Sequence, residues 1–188
     1  DTIYTGYPFD QVVYSRRHGA LTRDLEACAW AWALTGEERF AERARDILVG
    51  YGERYSAYPY HSAHMGKRDV EPSRSGGHVF EQTLNEAAWM GQVCPAYALV
   101  RQAPCLSAAD HATIRDGLLL PVYENMLKHR AGKSNWQTFH NSAFLYIGGV
   151  LGRAELVQAI REGAVEEVVQ FHSVAPGDVV SLPPGTVH

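Results

Sequence analysis

The feature that most constrains the fold is an apolar segment without a polar side. Residues 79 to 102, VFEQTLNEAAWMGQVCPAYALVRQ, place apolar side chains nearly all round a helix. Such a helix must be covered by other elements, because apolar surface left in water costs free energy. The rest of the chain therefore has to surround this helix, and Pro95 predicts a kink inside it.

The neighbouring segments supply amphipathic helices that can provide this cover. Apolar residues recur at helical spacing from Thr22, and residues 38 to 51 repeat the pattern with a charged outer face. Three capping boxes mark helix starts: Thr35 with Glu38, Ser107 with Asp110, and Ser134 with Gln137. The fold class is therefore predicted to be all-α, with helical hairpins that favour an incomplete α/α toroid over a solenoid.

The domain organisation follows from a change in pattern near residue 170. Residues 1–170 are predicted as the helical domain, with a last helix over about residues 154 to 170. Residues 171–188, FHSVAPGDVVSLPPGTVH, alternate short β-type runs with Pro-Gly turns. So short a β segment is not stable alone, so the tail is interpreted as the start of a second domain.

Composition excludes several classes of partner. The 188 residues have a formal net charge of −4, which offers no broadly basic surface to nucleic acid. No apolar run approaches the ~18 residues of a membrane-spanning helix. The three cysteines lack metal-ligand spacing and the pair His61 and His64 lacks a second pair, so neither a metal nor another cofactor is expected. Oligomeric state stays open.

Polar residues lie in the first turns of an otherwise apolar helix near the end of the helical domain. We call this part of the helix its polar mouth. Gln137, His140 and Asn141 are spaced i, i+3 and i+4, so they share one helical face, and Asn135 lies at its start. An imidazole exchanges protons near neutral pH, and an amide binds a carboxylate without carrying charge. The set suits an acidic-sugar site. Spacing alone favours the simpler interpretation, in which Gln137 completes the helix cap while His140 and Asn141 bond to a neighbouring loop.

Other candidates are scattered along the chain. Glu81 and Glu86 could be the paired carboxylates of an inverting glycosidase, although a helix dipole also favours acidic residues in a first turn. Arg17 and Arg74 could hold a carboxylate in bidentate fashion, and Gln82 lies beside the acidic pair. These three are taken as candidate substrate-binding residues.

Three runs of the sequence resemble the N-terminal helical domain of heparinase II/III-like and oligoalginate-type polysaccharide lyases over about residues 15 to 165: ALTGEERFAERARDILVGYGERY, GGHVFEQTLNEAAWM and HRAGKSNWQTFHNSAFLYIGGVLG. The resemblance implies an incomplete α/α toroid and β-elimination next to a uronic acid in an alginate- or heparin-like polysaccharide. It implies that Asn141 and Gln137 neutralise the carboxylate, that His140 acts on the proton or positions the carboxylate, and that Asn135 contacts the sugar. It also favours a periplasmic or secreted location.

The sequence departs from that family after the polar helix. The catalytic tyrosine and the β-sandwich that the resemblance leads one to expect do not follow, so the chain alone is expected to show little turnover. Tyr7, Tyr60 and Tyr146 are the tyrosines that could substitute. The tail is instead similar to a hairpin of cupin sugar isomerases in which His188 would be a metal ligand, but the other cupin ligands are absent.

Two alternative functions remain open on this evidence. One is a glycoside hydrolase on an α/α toroid that uses Glu81 and Glu86. The other is a carbohydrate-binding module of helical hairpins without catalytic activity. In each reading the expected partner is a carbohydrate, and for the lyase it is an acidic polysaccharide or oligosaccharide.

Overall fold

A computed structural model describes residues 2–6, 8–60, 76–129 and 134–153. The α-helices in these ranges are α1 (Phe9–Thr35), α2 (Glu38–Arg54), α3 (Thr83–Val100), α4 (Ala108–Ile114), α5 (Leu120–Lys128) and α6 (Asn135–Leu151). A 3-10 turn, Tyr55–Ala57, extends α2, and a π-helical turn, Arg115–Leu119, joins α4 to α5. Across the described ranges there is no β-strand, and no helix is long and apolar enough to cross a membrane.

The predicted all-α class is confirmed for this part of the chain. The toroid stays a prediction. The helix expected over 154–170 and the β-type tail 171–188, with His188, lie outside the described residues. The domain boundary near residue 170 is therefore also an expectation that the structure does not address.

The apolar helix lies at the centre, as its all-round pattern predicts. It is α3, which contacts α1, α2, α5 and α6. Its side chains at Met90, Val93 and Cys94 are fully buried. The helix begins at Thr83 rather than at residue 79, and it continues through Pro95 to Val100.

Side-chain contacts show that α1 and α3 run parallel. Trp89 Nε1 donates to Thr22 Oγ1 over 2.9 Å, and one turn further on Gln92 Nε2 donates to Glu26 over 3.1 Å. Residue numbers rise together along the two helices. Both helices therefore begin at the same end of the bundle, which we call the amino end.

The last described helix, α6, also begins at the amino end. A Cβ added at Gly91 of α3 would lie 3.5 Å from the Tyr146 ring of α6. Further along, Arg101 Nη1 donates to the Val150 carbonyl over 3.0 Å. Since α1, α3 and α6 are parallel, the polar mouth of α6 shares one end of the molecule with the starts of α1 and α3.

The hairpin of α1 and α2 forms, but its predicted capping box does not. Thr35 is the last residue of α1, and its hydroxyl donates to the Ala31 carbonyl over 2.7 Å. Glu37, not Thr35, is the N-cap of α2 and makes no capping bond through its side chain. The Thr35–Glu38 box was a wrong prediction, because α1 runs on until Gly36 ends it with a φ of 69°.

Two glycines let the backbone of α2 touch the end of α4 and the π-helical turn that follows it. A Cβ at Gly52 would lie 2.6 Å from the Thr113 carbonyl oxygen, and one at Gly117 would overlap the Gly52 carbonyl oxygen. The π-turn itself precedes Pro121, which has no N–H to donate, and Leu120 N–H bonds to the Arg115 carbonyl five residues back. Any side chain at Gly52 or Gly117 would push these backbones apart.

We expect Gly117→Ala to lower the free energy of unfolding by about 1–3 kcal/mol, because the added methyl overpacks a backbone contact. Urea unfolding followed by circular dichroism measures the change. Gly149→Ala is the matched control, since no atom lies within 4 Å of its added Cβ and alanine favours a helix interior by up to about 1 kcal/mol. Equal stabilities of Gly117→Ala and the wild type would contradict the close contact.

Candidate functional site

The mouth of α6 begins with a helix cap that is only half a capping box. Ser134 Oγ accepts from the Gln137 backbone N–H over 3.4 Å, as the sequence predicts. The Gln137 side chain makes a different bond, because its Nε2 donates to Asn141 Oδ1 over 2.8 Å. The i, i+4 spacing therefore joins two amides on one face.

The two amides of this pair differ in how exposed they are. Gln137 is 3% exposed and Asn141 is half-buried, so Asn141 is the member that other molecules reach more easily. As the two amides are oriented in the structure, Asn141 Oδ1 is occupied by the Gln137 bond. The N–H groups of Asn141 Nδ2 are then directed away from Gln137, and such donors suit a carboxylate or a hydroxyl oxygen.

His140, next along α6, is fully buried. Within the described ranges neither of its ring nitrogens has a hydrogen-bond partner. Burial, and to a lesser extent the nearby charge of His129, lower the pKa of His140 to about 4. The ring is therefore neutral at pH 7, and its unmatched polar atoms require an explanation, since buried polar groups are normally paired.

A row of aromatic and imidazole rings leads from α2 towards His140 at the amino end. The ring centroids of Tyr55 and His78 are 5.0 Å apart, those of His78 and Tyr60 5.6 Å, and those of Tyr60 and His129 6.5 Å. His129 in turn acts electrostatically on His140. We call these five residues the histidine–tyrosine row.

The backbone fixes the tautomer of His78. Its Nδ1 lies 2.8 Å from the Tyr58 carbonyl oxygen. A carbonyl oxygen only accepts, so Nδ1 carries the proton, and in neutral His78 the Nε2 atom keeps its lone pair. His78 therefore offers an acceptor at a fixed position.

Glu86 fixes the positions of two members of this row, Tyr55 and His78. Tyr55 Oη donates to Glu86 Oε2 over 2.7 Å, while the backbone N–H groups of His78 and Val79 donate to Oε1 over 2.7 and 2.8 Å. The carboxyl is fully buried, and burial raises its pKa whereas these hydrogen bonds oppose the rise. Glu86 is engaged in the protein interior, so the proposed glycosidase pair with half-buried Glu81 has no accessible second carboxyl.

The ends of the polar stretch before α3 are joined at this point. The Gly76 backbone N–H bonds to the Tyr60 hydroxyl, and Asn125 Nδ2 donates to the Gly76 carbonyl over 3.0 Å. A Cβ at Gly77 would overlap the Glu86 carboxyl. The glycine before His78 was the signal in the sequence that a close approach occurs here, but the contact itself could not be read from it.

The remaining predicted residues are distributed as follows. Asn135 is the exposed first residue of α6, Arg17 is exposed on α1, and half-buried Gln82 is the N-cap of α3. Tyr60 lies in the histidine–tyrosine row, whereas Tyr146 lies further along α6 against Gly91. Tyr7, His61, His64 and Arg74 are outside the described residues. Among the residues that the structure describes, no three metal-ligating side chains cluster together.

Comparison with known proteins gives consistent matches. An alginate lyase of Stenotrophomonas maltophilia (strain K279a) is 30% identical over 149 residues, which is 76% of this chain and 18% of that protein. An exo-oligoalginate lyase of Saccharophagus degradans is 27% identical over 159 residues, 81% of this chain and 19% of that protein. The chain thus spans less than a fifth of the length of these curated relatives. No protein-family model matches.

Proposed function

Because the chain is related to alginate lyases over more than three quarters of its length, we propose that it is the helical part of a polysaccharide lyase. The reaction is β-elimination next to a uronic acid, and the substrate class is an alginate-like acidic polysaccharide or oligosaccharide. The observation that carries the proposal is the Gln137–Asn141 amide pair beside the unmatched imidazole of His140.

Carboxylate neutralisation is the first requirement of this reaction. A proton next to a carboxylate is very weakly acidic, because its removal adds charge to a group that is already negative. Hydrogen bonds to the carboxylate stabilise that developing charge. We assign this role to Asn141 Nδ2, with Gln137 as a positioning residue whose bond to Oδ1 turns the donors outward.

Proton transfer is the second requirement, and we assign it to His140. A pKa of about 4 makes His140 a weak base in the unliganded chain. A bound uronate carboxylate would raise that pKa, because an opposite charge stabilises the imidazolium, and would bring it nearer the range in which a general base is effective. Since the ring is fully buried, its contact with a sugar requires displacement of the side chains that cover it.

Protonation of the leaving oxygen is the third requirement. Of the tyrosines singled out from the sequence, Tyr60 lies beside imidazoles, with its ring centroid 5.6 Å from that of His78 and 6.5 Å from that of His129. A phenol can give its proton to the leaving sugar oxygen, and neighbouring polar groups can stabilise the phenolate that remains. We therefore propose Tyr60, ahead of Tyr146, as the acid available within this chain.

We expect Gln137→Glu to weaken binding of uronate oligosaccharides about 10- to 100-fold, the effect of losing a hydrogen bond to a charged group. A carboxylate at position 137 only accepts, so it attracts Asn141 Nδ2 and turns Oδ1 towards the substrate carboxylate. Titration calorimetry at one pH and salt concentration measures the affinity. If Gln137→Glu binds uronate oligosaccharides as tightly as the wild type does, the amide pair is not part of the site.

The matched control is Gln102→Glu. It makes the same charge change at an exposed position just beyond α3, at the opposite end of the bundle. The reaction class is tested separately by the ultraviolet absorbance of the unsaturated uronate that β-elimination forms, on polymannuronate, polyguluronate and heparin. Release of reducing ends without that absorbance would indicate a hydrolase instead.

A further inference from the structure

A cavity of about 490 Å³ opens at the amino end, among residues other than those of the polar mouth of α6. Its volume falls within the roughly 300–1,000 Å³ of small-molecule sites. It lies between the first turns of α1 and the segment that leads into α3. Among the described residues, those that line it are Pro8, Gln11, Val12, Tyr14, Ser15, Arg16, Val79, Phe80, Glu81 and Asn85.

The cavity neighbours the histidine–tyrosine row. Val79 lines the cavity, while His78, the preceding residue, belongs to the row. The Glu86 carboxyl binds the backbone N–H groups of both residues, so their positions are fixed relative to one another. A ligand in the cavity would therefore lie one backbone segment away from the row.

The chemistry of the lining fits a sugar better than an apolar segment. Six of the ten lining residues that the structure describes have a polar group in the side chain. The rings of Tyr14 and Phe80 offer flat apolar surfaces of the kind that sugar faces cover. The Oε1 atom of Gln11 is buried and, among the described residues, has no hydrogen-bond partner, so an acceptor for a hydroxyl group is available.

Arg16 gives the lining a preference for an acid. Its guanidinium matches a carboxylate in bidentate geometry, and within the described part of the chain it makes no ion pair. Glu81, which also lines the cavity, accepts hydrogen bonds from hydroxyl groups but repels a carboxylate, so the acidic group of a ligand belongs on the Arg16 side.

We propose that this cavity is a second sugar subsite, which holds a further uronate unit of the same oligosaccharide whose reacting unit is bound at Asn141. The inference rests on the proposed function. In it, Arg16 binds the carboxylate of the further unit, Tyr14 covers a ring face, and Gln11 accepts a hydroxyl group. The subsite favours longer substrates and leaves the shortest ones unaffected.

The test compares uronate oligosaccharides of increasing length on Arg16→Ala, Tyr14→Ala and the wild type by titration calorimetry. The wild type should bind longer oligosaccharides about tenfold or more tightly than the disaccharide, and both variants should abolish that gain while keeping the disaccharide affinity. The matched controls are Arg23→Ala and Trp30→Ala, which are exposed on α1 and do not line the cavity.

The two proposals fail in different ways. If no uronate oligosaccharide binds the wild type at all, the proposed function fails and the subsite falls with it. If Gln137→Glu weakens every length but Arg16→Ala and Tyr14→Ala match the wild type at every length, the site at Asn141 stands and the subsite is refuted. Equal losses at all lengths, disaccharide included, would also refute a separate subsite.

Discussion

Glu86→Leu is expected to lower the free energy of unfolding by about 3–5 kcal/mol. The carboxyl accepts hydrogen bonds from Tyr55 Oη and from the backbone N–H groups of His78 and Val79, and it is fully buried. Leucine fills a similar volume but leaves three buried donors unmatched, and each costs about 1–3 kcal/mol when it is left so. Losses of this size are large against the stability of a single domain.

Glu86→Gln is the variant to compare with Glu86→Leu. Its carbonyl oxygen still accepts from His78 and Val79, so we expect a loss of only about 1 kcal/mol. Denaturant unfolding at a fixed pH measures both values. If Glu86→Leu and Glu86→Gln are equally stable, the hydrogen bonds to the carboxyl do not contribute as the geometry indicates.

The wild-type chain is expected to lose about 3 kcal/mol of stability between pH 6.5 and about pH 4 through His140 alone. The pKa of His140 is about 4 when folded, against the ordinary value of 6.5 that it regains on unfolding. In this window the unfolded chain binds the additional proton, so stability rises with pH and falls as pH is lowered. A difference of that size in pKa corresponds to the stated free energy.

Thermal unfolding across this pH range, on the wild type and on His140→Leu, isolates the effect by subtraction. The variant should lack the His140 contribution, so the difference between the two curves should grow as the pH falls. His129→Gln should reduce the difference modestly, because the charge of His129 is the lesser cause of the lowered pKa. Parallel curves for the wild type and His140→Leu would show that His140 is not buried as a neutral ring.

Local patterns predicted those parts of the fold whose partners lie close in sequence. Ser107 and Asp110 form the reciprocal capping box, since the box needs only their own turn. The start of α1 was not predicted: its first turns, with Phe9 and Val12, expose apolar side chains and show no apolar stripe. Such a segment has no periodic signal for a sequence analysis to detect.

In the candidate site, too, the contacts between residues close in sequence were predictable and those between distant residues were not. The Gln137–Asn141 contact follows from i, i+4 spacing, and it forms. The contact of Tyr55 with Glu86 joins residues 31 positions apart, and that of His78 with Tyr58 joins residues 20 apart. These contacts depend on how α2 and α3 pack, which no local pattern encodes, so the buried role of Glu86 was not foreseen.

The bond between Tyr60 and Gly76 bears on how relatives of this chain can diverge. It closes the stem of the stretch between them, and Asn125 holds the same stem from α5. Because the two ends are held together independently, a change in the number of residues between them leaves Tyr60 and Gly76 tied to each other. The histidine–tyrosine row can therefore keep its geometry in relatives whose sequences differ in length or composition over that stretch.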